Sequence, residues 1–470
     1  MLLTDLLGPV RTPGNALPLE GVDVADLAYD SRRVEPGTLF FCVPGLVTDG
    51  HDHAPQAAER GACALVVERP LPDVALPQAV VGDVRAAMGP LADRFFGEPS
   101  RALTILAVTG TNGKTTTAFL QAAILDAAGR RAGLLGTVER RIGGVAEPAA
   151  RTTPEAIDLH RDLARMAAAG DAACAMEVSS HALDQHRAGG VRFAAAAFTN
   201  LTRDHLDYHG DMESYFAAKA RLFDGRCPRA VNVDDPYGRR LEAEARFAVD
   251  DPSADVRAED VRLAADGTSF RLRSPWGDAD VALRLVGRFN VENALAAAAS
   301  AGLAGVGVDA IARGLGSLDG VPGRMQVVGR EPTVIVDYAH TPDALEHVLA
   351  ALRPLTRGRL VVVFGCGGDR DRGKRPEMAR VACALADRVL VTSDNPRGED
   401  PLAIIADVLA GADAAAASEP DRAAAIRRAL AEAAADDVVL VAGKGHEQGQ
   451  EAGGVVTPFD DAAVVREVLA

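Results

Sequence analysis

TILAVTGTNGKTTT, running from Thr104 to Thr117, decides the fold class of this chain. Its first six residues are apolar or β-branched and read as a buried strand. Gly110 and Gly113 mark a tight loop. From Lys114 onward the sequence TTTAFLQAAILDAAG reads as a helix that stops at a glycine. A strand that turns through a glycine loop into a helix N-terminus points backbone N–H groups at an anion. In that setting Lys114 reaches the outer phosphates of a nucleotide and the Thr115 hydroxyl is placed to ligate Mg²⁺. The full GxxxxGK[ST] pattern is not met, because Val108 stands where its first glycine belongs. GTNGKT is a shorter variant, and the strand–loop–helix context gives it its weight.

Working outward, three segments emerge, 1–100, 101–323 and 324–470. In the first, TLFFCVPG and CALVVE read as short buried strands with HAPQAAERGA as a helix between them. In the second, ACAMEVSS reads as a strand with Glu177 near its end, and AAAAFTN as another running into TRDHLDYHG. RLAADGTSFRLRSPWGDADVALRL has the pattern of a β-meander with turns at DG and PWGD, and NVENALAAAASAGLAG that of a long alanine-rich helix. The third segment alternates strands (TVIVDYAH, RLVVVFGCGG, RVLVTSDNP, DVVLVAGKG) with helices, which implies a doubly wound parallel sheet. Such sheets bind ligands at the carboxyl ends of their strands, where the polar residues of these four stretches fall. The run ADAAAASEP reads as a loop. The class is α/β throughout.

Composition excludes several functions. The 470 residues are 48% hydrophobic and 25% charged, which describes a globular protein with ample core. A net charge of −16 argues against a nucleic-acid partner or an anionic membrane surface. The six cysteines show no metal-type or CxxC spacing and suggest free thiols in a reducing cytoplasm. Neither a signal peptide nor an 18-residue apolar span is legible, so no membrane insertion is expected.

Lysine usage carries a second signal. Of 50 cationic residues only four are lysine: Lys114, Lys219, Lys374 and Lys444. Each lies in a motif-like stretch (GTNGKTTT, SYFAAKARLF, GGDRDRGKRP, VAGKGHEQ). An ammonium is a compact point charge that can become a neutral nucleophile, whereas a guanidinium cannot.

GTNGKTTT, TTP (Thr152–Pro154), EVSSHALDQHR, TNLTRDHLDYHG, YFAAKARLF and GRFNVENALAA, followed by PGRM, DYAHTPDAL, GCGGDRDRGKRP, SDNPRGED and GKGHE, closely resemble the Mur ligase family. These are the ATP-dependent amide ligases of peptidoglycan synthesis. The resemblance implies three domains: a small N-terminal α/β domain for a UDP-sugar, a central P-loop ATPase domain with a parallel sheet, and a C-terminal Rossmann-like domain that brings the amino acid. It further implies activation of a substrate carboxylate as an acyl phosphate, attack by an amine, and a chain that works as a monomer. The cofactors it implies are ATP, two Mg²⁺ ions and CO₂ as a lysine carbamate.

The resemblance also assigns residues. ATP falls to Gly110, Thr111, Asn112, Gly113, Lys114, Thr115 and Thr116, with Asn290, Arg324, Asp337 and His340; for the last four a purely structural role between domains is the alternative. Thr115, Glu177, His205 and Lys219 are the implied metal ligands, Lys219 as N6-carboxylysine, and Lys114, Lys219, Glu177 and His205 the catalytic group. CO₂ attacks only a neutral amine, so burial or metal must favour that state. The sugar-peptide, UDP-N-acetylmuramoyl-L-Ala-D-Glu, falls to Ser31 with Arg32, to the loop Leu46, Val47 and Thr48, and to Thr152, Thr153, Ser179, Gln185 and Arg187. The DNPR tetrapeptide, Asp394, Asn395, Pro396 and Arg397, together with Arg370, Gly443 and Glu447, implies meso-diaminopimelate. A buried Arg397 left unpaired would reject lysine, which lacks the second carboxylate. A ligase for another amino acid, a folylpolyglutamate synthase, or an ATPase switch or kinase needing no amine are the competing readings.

Overall fold

The computed structural model describes residues 1–8, 18–45, 48–264, 267–413 and 416–469. The loop residues Leu46 and Val47 therefore lie outside the described residues. The chain divides into two compact units, one of Met1–Ala107 with Arg130–Ala194, the other of Val108–Gly129 with Ala195–Ala470.

In the first unit the strands Asp26–Ala28, Thr38–Phe41, Ala64–Val67 and Gln78–Val80 pair in parallel in that order. Alternate residues point to opposite faces. Leu39, Phe41, Ala64 and Val66 join a core with Leu3, Leu6, Met88 and Leu91, while Phe40, Leu65 and Val67 pack with Ala54 and Ala57. Burial on both faces explains why TLFF and ALVV are uniformly apolar. Asp83 caps the helix Val84–Phe95 by accepting from Ala86 N at 2.9 Å. Further along, Ala132–Leu135 pairs in parallel with Ala173–Glu177, and an antiparallel hairpin joins the half-buried Glu139–Ile142 to the mostly exposed Val145–Pro148.

The strand Thr104–Thr109 straddles the division of the chain, and the glycine loop and the helix Lys114–Ala127 follow it in the second unit. There Ala195–Phe198, Arg229–Asn232, Ala245–Ala248 and Val256–Ala264 run parallel. The antiparallel strands Gly267–Arg273 and Ala279–Leu283 complete the expected meander, part of whose DG turn lies outside the described residues. The alanine-rich helix Arg288–Leu303 is buried almost all round, as its uniform composition demands. It packs against Lys114–Ala127, where Gln121 Nε2 donates to Ser300 Oγ at 2.9 Å.

The C-terminal sheet has the order Gln326–Arg330, Thr333–Asp337, Val438–Ala442, Leu360–Phe364, Arg388–Val391, Ala417–Ser418, parallel except for the first strand. Val362, Phe364 and Leu440 face one helical layer, and Val361, Val363, Val439 and Val441 the other. This is the doubly wound architecture the alternation implied. The ADAAAASEP run, read as a loop, contributes the two-residue edge strand Ala417–Ser418.

Candidate active site

The glycine loop is held by polar atoms of Thr199 and Asn200. Gly113 caps the helix Lys114–Ala127 at φ +84°, and a Cβ there would collide with Asn293 Oδ1. Thr111 N donates to Asn200 O at 2.8 Å, Asn112 N to Asn200 Oδ1 at 2.9 Å, and Thr199 Oγ1 to Asn112 O at 2.7 Å. Lys114 Nζ lies back across the loop, donating to Gly110 O at 3.1 Å and Thr111 O at 2.8 Å. Thr115 Oγ1 accepts from Arg324 Nη2 at 3.2 Å, and the Arg324 guanidinium sits 4.3 Å from the centre of the Tyr338 ring. Thr116 is buried one residue further along the helix.

Lys219 belongs to this cluster. It is fully buried on the helix Met212–Ala220 and donates to Gly110 O at 2.6 Å, the same carbonyl that Lys114 uses. Burial first, and repulsion by Lys114 second, hold its amine well below the ordinary lysine range, against an opposing pull from Asp204. The neutral amine, the form CO₂ attacks, is thus favoured. Nearby, burial alone would raise the Asp204 carboxyl, but His205, His340, Lys374 and Lys114 override it and keep it below the usual carboxylate range. His205 Nε2 lies 3.3 Å from Asp204 Oδ2. His340 is itself pushed down, by burial and then by Lys374. Lys374, placed by sequence beside Asp369 and Arg370, thus exerts its charge on Asp204 and His340.

Asn290 and Asn293 bond each other, Nδ2 of Asn293 to Oδ1 of Asn290 at 3.0 Å. Asp337 accepts from Met325 N and Ala339 N, each at 2.7 Å, and burial raises its carboxyl. Asn112 Nδ2 donates to Asp343 Oδ2 at 2.7 Å, and Arg203 pairs with Asp371 at 2.9 Å. Neither Asp343 nor Arg203 was singled out from sequence.

In the first unit Glu177 meets two of the expected sugar-peptide residues, Thr153 directly and Thr152 through Thr137. Its Oε1 accepts from Thr137 N at 2.7 Å and its Oε2 from Thr137 Oγ1 at 3.0 Å, while Thr137 Oγ1 is 3.0 Å from that of Thr152. Thr153 Oγ1 donates to Glu177 O at 2.9 Å and accepts from Ser179 N at 3.1 Å. Arg187 donates to Thr153 O at 3.2 Å and Gln185 Oε1 at 2.7 Å, and pairs with Glu155 at 3.1 Å. Its Nε has no hydrogen-bond partner among the described residues. Ser31 Oγ donates to Gln56 Oε1 at 2.6 Å. Arg32 is exposed on Asp30, whereas Arg33 lines a cavity of about 450 Å³ with Tyr29, Arg140, Arg151, Glu155 and Asp158. Thr48 is exposed and its carbonyl accepts from Gly45 N at 3.0 Å.

The C-terminal loops converge at the strand ends. Asn395 Nδ2 donates to Glu447 Oε2 at 2.8 Å. Arg397, at φ +50°, donates from Nη1 to Gly368 O at 2.8 Å and lies 3.4 Å from Glu451. Gly443, at φ +116°, leaves room for Asp394, since a Cβ would stand 2.7 Å from Asp394 Oδ2. Pro396 is buried, and Arg370 is exposed with Nη1 on Asp369 O at 2.9 Å. The expectation of a buried Arg397 needs correction: its side chain is 23% exposed, held between Gly368 O and the partly exposed Glu451 carboxylate.

No group of three or more His, Cys, Asp or Glu side chains able to hold a metal occurs among the described residues.

Three family models cover the chain: "Mur ligase family, catalytic domain" over residues 23–95, "Mur ligase middle domain" over 108–301 and "Mur ligase, glutamate ligase domain" over 323–445. A protein of Geobacillus kaustophilus named UDP-N-acetylmuramoyl-L-alanyl-D-glutamate–2,6-diaminopimelate ligase is 48% identical over 466 residues, 95% of either chain. The chain belongs to the Mur ligase family. A protein of the same name from Ectopseudomonas mendocina is 47% identical over 96% of each chain. A solved structure of a ligase of that name superposes with a TM-score of 0.71 at 36% identity, covering 100% of this Mur ligase and 98% of that chain. The MurF ligase of Thermotoga maritima, solved in complex with ADP, shares the fold at 19% identity, TM-score 0.65, over 95% of this chain and 97% of its own.

Proposed function

We propose that this Mur ligase joins meso-2,6-diaminopimelate to the D-glutamyl carboxylate of UDP-N-acetylmuramoyl-L-Ala-D-Glu at the expense of ATP, in cytoplasmic peptidoglycan synthesis. The observation that carries the reading is the meeting of the DNPR loop with Gly368 and Glu447 at the carboxyl edge of the C-terminal sheet. Full-length relatives with that printed activity support it.

The chemistry runs in two steps. A carboxylate oxygen attacks the γ-phosphorus and ADP leaves. The neutral amine then attacks the acyl carbon, loses its proton, and phosphate leaves. Lys114 and the loop N–H groups hold the nucleotide phosphates, Thr152, Thr153, Ser179, Gln185 and Arg187 hold the sugar-peptide, and Arg397 and Glu447 hold the two ends of the amino acid. Thr115, Glu177, His205 and carbamylated Lys219 would hold Mg²⁺ when it is bound, and the metal would supply charge neutralisation at the phosphates. The test is a panel of amino acids offered with the sugar-dipeptide and ATP. ADP release that requires both the dipeptide and meso-diaminopimelate is expected. Release with neither, or with another amino acid preferred, refutes the proposal. No described helix is long and apolar enough to cross a membrane.

A further inference from the structure

Lys444 is fully buried beneath the loops that receive the amino acid, and the reaction as written does not use it. A buried ammonium is costly unless its donors are satisfied. Its Nζ donates to Asn395 Oδ1 at 2.8 Å and Glu447 Oε2 at 3.1 Å, and lies 3.6 Å from Asp394 Oδ1. All three partners belong to the proposed amino-acid site. Asn395 Oδ1 accepts a second hydrogen bond, from Glu451 N at 3.0 Å. With two donors on its oxygen, the amide must turn Nδ2 toward Glu447, where it donates to Oε2 at 2.8 Å. Both side-chain bonds to Glu447 therefore fall on Oε2. Oε1 is outside these two bonds.

Resting on the proposed function, we infer that Lys444 is a positioning and specificity-determining residue: it fixes Asn395 and Glu447 so that one carboxylate oxygen is presented to the ammonium of the incoming amino acid, and it cancels one of the two local negative charges. Asp394 and Glu447 together carry two negative charges, and Lys444 leaves a balance that one ammonium completes. Without Lys444 the site becomes more negative and its acceptor loses its orientation. A zwitterion with two carboxylates should then bind worse, and L-lysine, which carries an extra positive charge, should be favoured relative to it.

The test compares wild type, Lys444→Met, Glu447→Gln and the double variant with saturating ATP and sugar-dipeptide, reading KM and kcat for meso-diaminopimelate and for L-lysine. In Lys444→Met, KM for meso-diaminopimelate should rise at least about tenfold, because a buried charged partner has been removed. KM for ATP, read separately with ATP varied at saturating meso-diaminopimelate, should stay within about twofold, and the kcat/KM ratio of meso-diaminopimelate to lysine should fall. Because Lys444 acts through Glu447, adding Lys444→Met to Glu447→Gln should change KM by much less than it does alone. An unchanged substrate ratio, or strictly additive effects in the double variant, overturns the inference. Should Lys444→Met fail to fold, Lys444→Gln, which keeps a donor for Asn395 without the charge, enters the same cycle with the same outcomes. Failure of wild type to use meso-diaminopimelate at all would count against the proposed function instead, a result distinct from either outcome of the cycle.

Discussion

Replacing Arg397 by alanine tests the choice of amino acid most directly. The left-handed backbone at φ +50° costs any non-glycine residue alike, so the exchange adds no new strain. The backbone bond from Arg397 N to Glu451 O at 3.0 Å is independent of the side chain. What is lost is the guanidinium: its bond to Gly368 O and its fork for the distal carboxylate. A fully desolvated charge pair is worth about 2–5 kcal/mol on truncation and an exposed one about 0–1. With 23% of the side chain exposed, the pair lies between these limits, at about 2 kcal/mol, or roughly thirtyfold. The assay is the ratio of kcat/KM for meso-diaminopimelate over L-lysine in wild type, Arg397→Ala and Arg397→Lys. The ratio should fall roughly thirtyfold in the alanine variant and recover only in part with lysine, whose point charge cannot copy two parallel donors. A ratio that does not move, or a wild type that prefers lysine, refutes the assignment.

Lys219→Ala should lower ligation by at least about a hundredfold while leaving a folded protein, with partial rescue by short carboxylic acids that stand in for a carbamate; ADP release measures it, and a wild-type rate would sink the carbamate. Since burial and Lys114 depress the Lys219 amine, its neutral form persists toward lower pH, and activation by added bicarbonate should be detectable at neutral pH rather than only in the alkaline range. Lys114→Ala should abolish ATP turnover and Thr115→Ala should raise the Mg²⁺ concentration required; unchanged turnover in Lys114→Ala would remove the loop from the nucleotide site. Asp461→Asn should strand Arg422, both side chains being fully buried with two contacts of 2.7 Å, and cost about 3–5 kcal/mol, a fall in Tm of roughly 6–15 °C by calorimetry. A fall of under about 2 °C would show that the pair is not what holds this layer.

Legibility in the sequence tracked how local each feature is. The strand, glycine loop and helix of TILAVTGTNGKTTT need only neighbouring residues, and the stretch announces itself. The central strands Leu360–Phe364 and Val438–Ala442 of the C-terminal sheet are equally plain, because burial on both faces leaves no polar residue in them. The hairpin Glu139–Ile142 with Val145–Pro148 is not legible, since its second strand is mostly exposed and neither strand alternates apolar with polar. The hairpin Gly449–Ala452 with Val455–Pro458, whose second strand is exposed throughout, was missed for the same reason. In the candidate site, family motifs name residues but not their environments. YDSRRV offers two adjacent arginines, and only the fold turns Arg33 to the cavity and Arg32 to solvent. Lys444 was visible as one of four lysines, yet its burial depends on Asn395, 49 residues away.

The second unit joins its nucleotide loops to its amino-acid loops through few polar contacts, and their exposure is uneven. Arg203 bridges to Asp371 and Glu377 with its own side chain 42% exposed, so these ion pairs add little stability. Asn112 to Asp343 and Arg324 to Thr115 are better shielded, but both involve groups that a bound nucleotide would also engage. A ligand can shift such an arrangement only by its differential affinity for the joined state. The buried cations are placed otherwise: Lys444 and Arg422 stabilise the amino-acid loops from within the C-terminal sheet, without reference to the nucleotide. Amino-acid choice can therefore be rigid while the junction with the phosphate loop remains easily broken. That division suits a reaction in which the acyl phosphate must form before the amine is allowed to reach it.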